Sequence, residues 1–268
     1  MPVRRYPGWA ELRFPPATAA DTPVAFCADL SPASVLDAYR HGIIPIPAPD
    51  EFFRTVNEVK YEDQVADGTI AVVGGDARDD PYWVAWWSPD PRPVIAASHA
   101  HLGRNARKNL RRRDMRTTAN AAFRQVAQEC RAGREPRWLT DTLLDTLTEL
   151  HDDGWAHSIE VWLDGELAGG AMGIGIGGVL SGDSLFSRHP DGARIAVADM
   201  AARLGQAGGL FVDAQWDSAF LRSLGAQPLP RADFVAVLAG SPQRVALDTE
   251  PLPARRLLEA TDDPGRPA

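Results

Sequence analysis

The sequence predicts a mixed α+β protein: a small N-terminal α/β domain over residues 1–98, a larger domain over 99–240, and a peripheral tail over 241–268. Three observations carry this reading. The apolar period shifts from helical spacing to alternation at Ser158. Two glycine-containing turns, Asp164-Gly165 and Gly177-Gly178, then divide short apolar runs as hairpin turns do. Finally, 268 residues at 44% apolar content can bury one large core or two small ones.

Residues 1–26 are Pro-rich and irregular. In "DLSPASVLDAYRHG", Ser31 is placed to cap a short helix, Pro32 suits its first position and Gly42 its stop. Residues 47–82 read as polar and turn-rich, with "GGDARDDP" as a loop. "YWVAWWSPDPRPVIAA" gives two strands around a proline-defined turn. A basic segment follows, then two amphipathic helices, "ANAAFRQVAQECR" and "LTDTLLDTLTELHDDG". The meander "SIEVWL-DG-ELAGGAMGIGI-GG-VLSGDSLFS" predicts three antiparallel strands. After it come a helix over about 191–207, a strand ending at Asp213, a helix in "SAFLRSLG" and a last strand in "DFVAVLAG". This order is that of a GNAT-like acyltransferase domain, although a fold does not by itself name a reaction.

Composition excludes several classes. Net charge is −8, so nucleic-acid binding requires a local basic patch rather than a polycationic surface. Two cysteines in unrelated contexts make neither a disulfide framework nor a CxxC metal motif. No apolar run reaches membrane-spanning length and "MPVRRYPGWAEL" lacks the core of a signal peptide, so a cytoplasmic, soluble protein is expected. His151 and His157 do not stand at metal-ligand spacing.

Four features bear on chemistry. Between Arg104 and Arg116, seven cations (Arg104, Arg107, Lys108, Arg111, Arg112, Arg113, Arg116) face the single acid Asp114. Such a run is either a solvated helix face or a site for a polyanion. "GGAMGIGIGG" spells G-x-G-x-x-G but continues as a strand, which excludes a dinucleotide fingerprint and points to close backbone approach instead. The turn before the 191–207 helix, "RHPDGARIA", has only Gly192, a poor cradle for the pyrophosphate of CoA. Lastly, Asp183, Ser184, Asp213 and Gln215 fall on apolar strands. Asp213 and Gln215 share a face by the two-residue period, and buried carboxylates need partners. Asp213 either pairs with an arginine or builds, with Asp183, a polar site in an apolar wall.

Taken together, "DLSPASVLDAYRHGI", "WWSPDPRPVI", "RWL", "LHDDGWAHSIEVW", "GELAGGAMG", "SGDSLFSR", "VDAQ", "SLGA" and "PRADF", in this order over about residues 24–236, resemble the leucyl/phenylalanyl-tRNA–protein transferase family. The resemblance implies transfer of Leu or Phe (Met less well) from aminoacyl-tRNA to the α-amino group of a protein beginning with Arg or Lys, which marks it for N-degron proteolysis. It implies no CoA, no metal and no other cofactor, and a monomer is expected. By the same resemblance Asp213 and Gln215 are catalytic, and Asp183 is the pocket acid. Ser184, Ala171, Leu180, Met200 and Val212 line the amino-acid pocket, and Trp138 contacts the terminal adenosine. The tRNA body falls to Arg104, Arg107, Lys108, Arg111, Arg112 and Arg113. Asp213 is expected to hold the acceptor amine and, directly or through Gln215, to help remove its proton.

Several positions depart from the family pattern. Cys27 and Ala28 precede "DLSP", Ile46 replaces a tryptophan beside the adenosine, Ala171 a methionine and Leu147 a tyrosine. Gly192, Ala193 and Arg194 stand for "ASK", Phe220 for a histidine, and the 47–82 stretch is longer than usual. These departures keep a second reading open: a diverged aminoacyl-tRNA-dependent enzyme using another amino acid or a small-molecule acceptor.

Overall fold

Local signals account for the first elements. Ser31 accepts the Ser34 N–H at 3.4 Å and Pro32 opens helix α1 (Pro32–Arg40), as its sequence requires. The computed structural model describes residues 5–12, 22–74, 79–97 and 100–259. The loop residues 75–78, the expected domain boundary at 98–99 and the end of the tail from 260 lie outside the described residues.

The chain divides into two units, Met1–Pro91 with Gly133–Leu150 and Pro230–Ala239, and Arg92–Ala132 with His151–Leu229 and Gly240–Ala268. The first contains β1 (Arg5–Tyr6), β2 (Ala25–Phe26), α1, β3 (Ile44–Pro47), α2 (Glu51–Ala66), β4 (Ala71–Val73) and β5 (Val84–Trp87). These strands form a sheet in the order β1-β4-β2-β5-β3 over a core of Phe26, Tyr61, Val65, Ile70, Val72 and Ala85. The stretch expected to be turn-rich is therefore largely helix α2 and strand β4. Only Tyr61 and Val65 of α2 are buried, so its apolar period is too sparse to read, whereas its cap and charge pairs are strong. Asp50 accepts the Phe53 N–H at 3.1 Å, and Arg54 bridges Glu51, Glu58 and Asp80.

From Arg92 onward run β6 (Arg92–Ala96), α3 (Arg104–Arg112), β7 (Met115–Ala119), α4 (Phe123–Arg131), α5 (Asp141–Asp152), β8 (Ala156–Leu163), β9 (Glu166–Ile176), β10 (Val179–Ser181), β11 (Ser184–Ser187), α6 (Gly192–Gln206), β12 (Phe211–Asp213), α7 (Ala219–Ser223), β13 (Gln227–Leu229), α8 (Arg231–Gly240) and β14 (Leu252–Pro253). Among the described residues the second unit's sheet is ordered β13-β6-β12-β10-β9-β8-β7-β14, with β11 also on β9. The meander is antiparallel as expected, and β12 returns parallel to β10.

Three expectations are corrected. "DFVAVLAG" is not a strand but part of α8. Arg231, Phe234 and Leu238 are its buried positions, a helical spacing that the β-branched residues disguised. The unit boundary falls at Pro91/Arg92 rather than near residue 98, because β5 joins the first sheet and β6 the second. Within the first unit Arg231 holds that turn, donating to Ser88 O at 2.8 Å and lying 3.7 Å from the Asp90 carboxylate. The tail is not peripheral up to residue 259. Val245, Leu247, Ala254, Leu257 and Leu258 join the second unit's core, and β14 pairs with β7.

The string "AHSIEVW" is architectural. Glu160 is fully buried on β8, and its carboxylate accepts from the Thr118 and Ser158 hydroxyls and the Ala121 and Ala122 N–H groups at the start of α4. It thus serves α4 as a cap from another element, where Ala122 offers no side chain. His157 is 4% exposed, and burial, reinforced by His151, lowers its pKa from 6.5 to about 4. The folded state therefore keeps it neutral, a stabilisation complete above pH 6.5 and lost as pH falls towards 4. By pH 5 this one group should cost the wild type roughly 2 kcal/mol. Urea unfolding of His157→Gln should show a correspondingly smaller loss between pH 7 and 5, and equal losses would disprove the assignment.

Candidate active site

The site forms where β10 and β12 lie side by side. Their register sets Leu180 beside Val212 and Ser181 beside Asp213. Alternation then sends the two pairs to opposite faces. Leu180 and Val212 face the second unit's core with Met200 of α6 and Ala171 of β9, all 2% exposed or less. Asp213 projects to the other face, with Val94, its partner on β6, and Arg92 two residues along. That face also carries an open cleft of about 300 Å³ lined by Val94, Ala96, His101, Phe211, Gly225 and Gln227.

Asp213 is 1% exposed and its carboxylate is fully engaged. Arg92, equally buried, donates Nε–H to Oδ1 at 2.8 Å and Nη2–H to Oδ2 at 2.7 Å. The Gln215 N–H adds a third bond to Oδ1 at 2.9 Å. A bidentate guanidinium with a backbone donor is the arrangement that makes a buried charge pair tolerable. Both oxygens of Asp213 thus already accept bonds, and one of them ties the carboxylate to the backbone of Gln215. Arg92 was the partner missing from the sequence reading. The need for a partner was legible in a carboxylate on a buried strand, but a separation of 121 residues concealed which arginine supplies it.

The same contact shapes Gln215. Its backbone is left-handed, with φ +60°, a conformation that L residues other than glycine rarely adopt. The turn lets Gln215 Nε2–H donate to Asp183 Oδ1 at 2.5 Å. Between β10 and β11 the chain steps across, with Gly182 N–H donating to Asp213 O at 2.8 Å and Asp183 N–H to Met172 O at 2.9 Å. Gly173 permits that crossing, since a Cβ there would stand 1.8 Å from Ser181 O. The close-approach reading of the glycine run is confirmed at this point.

The chain therefore brings together Arg92, Asp213, Gln215 and Asp183, with Ser184 following on β11. Ser184 is 3% exposed and its Oγ has no hydrogen-bond partner among the described residues. Electrostatically, Arg92 cancels Asp213, so the formal charge left in this group is that of Asp183, which is only partly buried.

The remaining predicted residues stand elsewhere. Trp138 lies in the first unit, half-buried in the segment before α5, and Ile46 is half-buried on β3. Leu147 is 2% exposed on α5. Five of the six basic-segment residues assigned to tRNA (Arg104, Lys108, Arg111, Arg112 and Arg113) are exposed on or just after α3, and Arg107 is half-buried. Ala106 and Leu110 anchor the helix. The start of α6 is closed by the chain itself: Ser187 Oγ accepts the Ala193 N–H at 3.1 Å, and His189 O accepts the Gly192 N–H at 3.0 Å. Gly169 and Gly192 approach so closely that a Cβ on Gly169 would meet Gly192 C at 2.5 Å. Among the described residues no group of three or more His, Cys, Asp or Glu is placed to hold a metal, and no helix is long and apolar enough to cross a membrane.

Comparison with known proteins decides the family. The model of the leucyl/phenylalanyl-tRNA protein transferase family matches residues 94–239. A relative of that name from Teredinibacter turnerae is 37% identical over 236 residues, 85% of this chain and 79% of its own. The chain belongs to the leucyl/phenylalanyl-tRNA protein transferase family. A further member, from Thiobacillus denitrificans, is 36% identical over 233 residues, 84% of this chain and 89% of its own. As a transferase of this family, the protein is an aminoacyltransferase.

Two of the positions that depart from the family pattern touch each other. Arg194 of α6 stacks over the Phe220 ring at 5.2 Å and donates to Ser223 Oγ at 2.9 Å. This is a cation–π contact between α6 and α7 of the second unit.

Proposed function

We propose that this aminoacyltransferase moves Leu or Phe, and Met less well, from aminoacyl-tRNA to the α-amino group of proteins that begin with Arg or Lys, marking them for N-degron proteolysis in the cytoplasm. The reading is carried by the Asp213–Gln215–Asp183 arrangement within a chain of this family. The tRNA ester is already activated, so the reaction needs an amine brought to a carbonyl and no further energy source. An α-ammonium has a pKa near 8; Asp183 supplies the negative charge that attracts it, and the ammonium gives one proton to solvent water before it attacks. Gln215 gives its Nε2–H to Asp183, which leaves Oε1 to accept an N–H of the neutral amine and aim the nitrogen lone pair at the ester carbon. The C–N bond forms, the ester C–O bond breaks, and the proton lost from nitrogen goes to the departing ribose oxygen. Asp213, held by Arg92, fixes the Gln215 turn. Much of the rate is then positioning. The filled first turn of α6 supports chemistry without CoA, since a pyrophosphate there would compete with Ser187 and His189 for N–H groups. The protein is read as a monomer.

Ile46, Leu147 and Ala171 favour the second reading, a shifted donor amino acid or a small-molecule acceptor. A transfer assay with a panel of charged tRNAs and an Arg-initiated peptide separates the two. Label from Leu-tRNA or Phe-tRNA on the peptide supports the first. Transfer only from another aminoacyl-tRNA, or only to a small amine, would establish the second.

A further inference from the structure

The C-terminal segment, expected to be peripheral, is held in place at considerable cost. Asp199 and Arg203 of α6 are fully buried and paired at 2.7 Å. Arg203 donates to Asp248 O and Glu250 O of the segment, at 3.0 Å for the latter. Arg256 in turn lies 2.5 Å from Asp199 Oδ1. Desolvating two guanidiniums and a carboxylate is expensive and stabilises little over an apolar filling. Around this network Ala254, Leu257 and Leu258 pack into the core that also holds Ala106 and Leu110 of α3.

The consequence is the placement of Arg255. It is exposed, and its Nη2–H reaches Arg111 O at 3.5 Å, at the C-terminal turn of α3. It thereby joins Arg104, Lys108, Arg111, Arg112 and Arg113. Several arginines elsewhere are paired: Arg54, Arg92, Arg188, Arg203, Arg222 and Arg231 each have a carboxylate within 4.0 Å. Among the described residues neither Arg255 nor any of the five cations it joins has one. An uncompensated cluster, assembled from positions 144 residues apart on a chain of net charge −8, is a surface shaped for a polyanion. Family-model similarity ends at residue 239, so Arg255 comes from outside the matched region.

We propose that the segment 241–259 is a pinned arm that completes the RNA-binding surface of α3, with Arg255 contacting a phosphate of the donor tRNA. This rests on the reading that the donor is a tRNA bound along α3.

The test is the salt dependence of tRNA binding to the full chain. Arg255→Gln should weaken binding several-fold near 0.1 M salt and reduce the slope of log affinity against log salt by about 0.7–0.9, one phosphate's worth. Arg255→Lys should retain most of the slope. Thermal unfolding of both should match wild type, because Arg256 and the buried leucines, not Arg255, hold the arm. An unchanged slope in Arg255→Gln, while Arg104→Gln/Lys108→Gln/Arg111→Gln lowers it, would overturn the arm and spare the α3 reading. Unchanged slopes in both variants would overturn both.

Discussion

Replacing Asp213 with Asn should cost this protein both turnover and stability. The residue is buried with Arg92 in a bidentate pair, so an amide at position 213 leaves a guanidinium uncompensated in the interior. Removing one partner of a buried pair typically costs about 3–5 kcal/mol. The same substitution weakens the bond that sets the Gln215 turn, and kcat should fall roughly 100-fold, the usual penalty for a misplaced reacting group. The two effects separate in a double variant. Arg92→Met with Asp213→Leu removes both charges and should recover most of the stability in urea unfolding, while kcat stays low. Recovery of activity along with stability would show that the pair only supports the fold. Wild-type turnover in Asp213→Asn would show that the carboxylate does not orient the site.

Gln215 should behave in the opposite way, as a group whose loss costs activity far more than stability. Gln215→Leu removes the bond to Asp183 and the carbonyl proposed to receive the amine, and kcat should drop on the order of 100-fold or more with tRNA affinity kept. Gln215→Gly should be equally inactive yet more stable than the Leu variant by about 1 kcal/mol, because glycine adopts φ +60° without strain. Were the Gly variant to turn over near wild type, the side chain would have no part in the reaction.

The sequence made these residues visible for a physical reason. A carboxylate on a buried strand conflicts with its surroundings, and that conflict is local. Asp213 could therefore be named; Asp183 and Gln215, expected on strands, stand instead in the turns just after β10 and β12, and the structure links the three by hydrogen bonds through Gln215. Arg92 could not, since a partner 121 residues away leaves no local trace. The alternating meander and the Gly173 crossing were legible because strand period and glycine content record them directly. Helix α2 was not, because charge pairs and a cap rather than an apolar stripe hold it. Helix α8 was mistaken for a strand because Val235 and Val237 suggest one, while the contacts that make it a helix are at Arg231, Phe234 and Leu238. The tail looked peripheral because proline and charge dominate it, yet the buried Arg203 holds its backbone carbonyls at Asp248 and Glu250, and Asp199 holds its Arg256. Phe220 stood out only as a departure from the family pattern, and its contact with Arg194 was not legible in the sequence.

The central claim is that the protein forms an amide at a protein N-terminus with an amino acid taken from tRNA. The most direct measurement is mass spectrometry of peptides that differ only in their first residue, Arg, Lys, Ala or Asp, with and without N-terminal acetylation, after incubation with Leu-tRNA and Phe-tRNA. The account predicts one added Leu or Phe on the α-amine of the Arg and Lys peptides and none on the acetylated, Ala or Asp peptides. Addition that ignores the first residue or survives acetylation would contradict it, as would no addition by a folded protein that binds the charged tRNA.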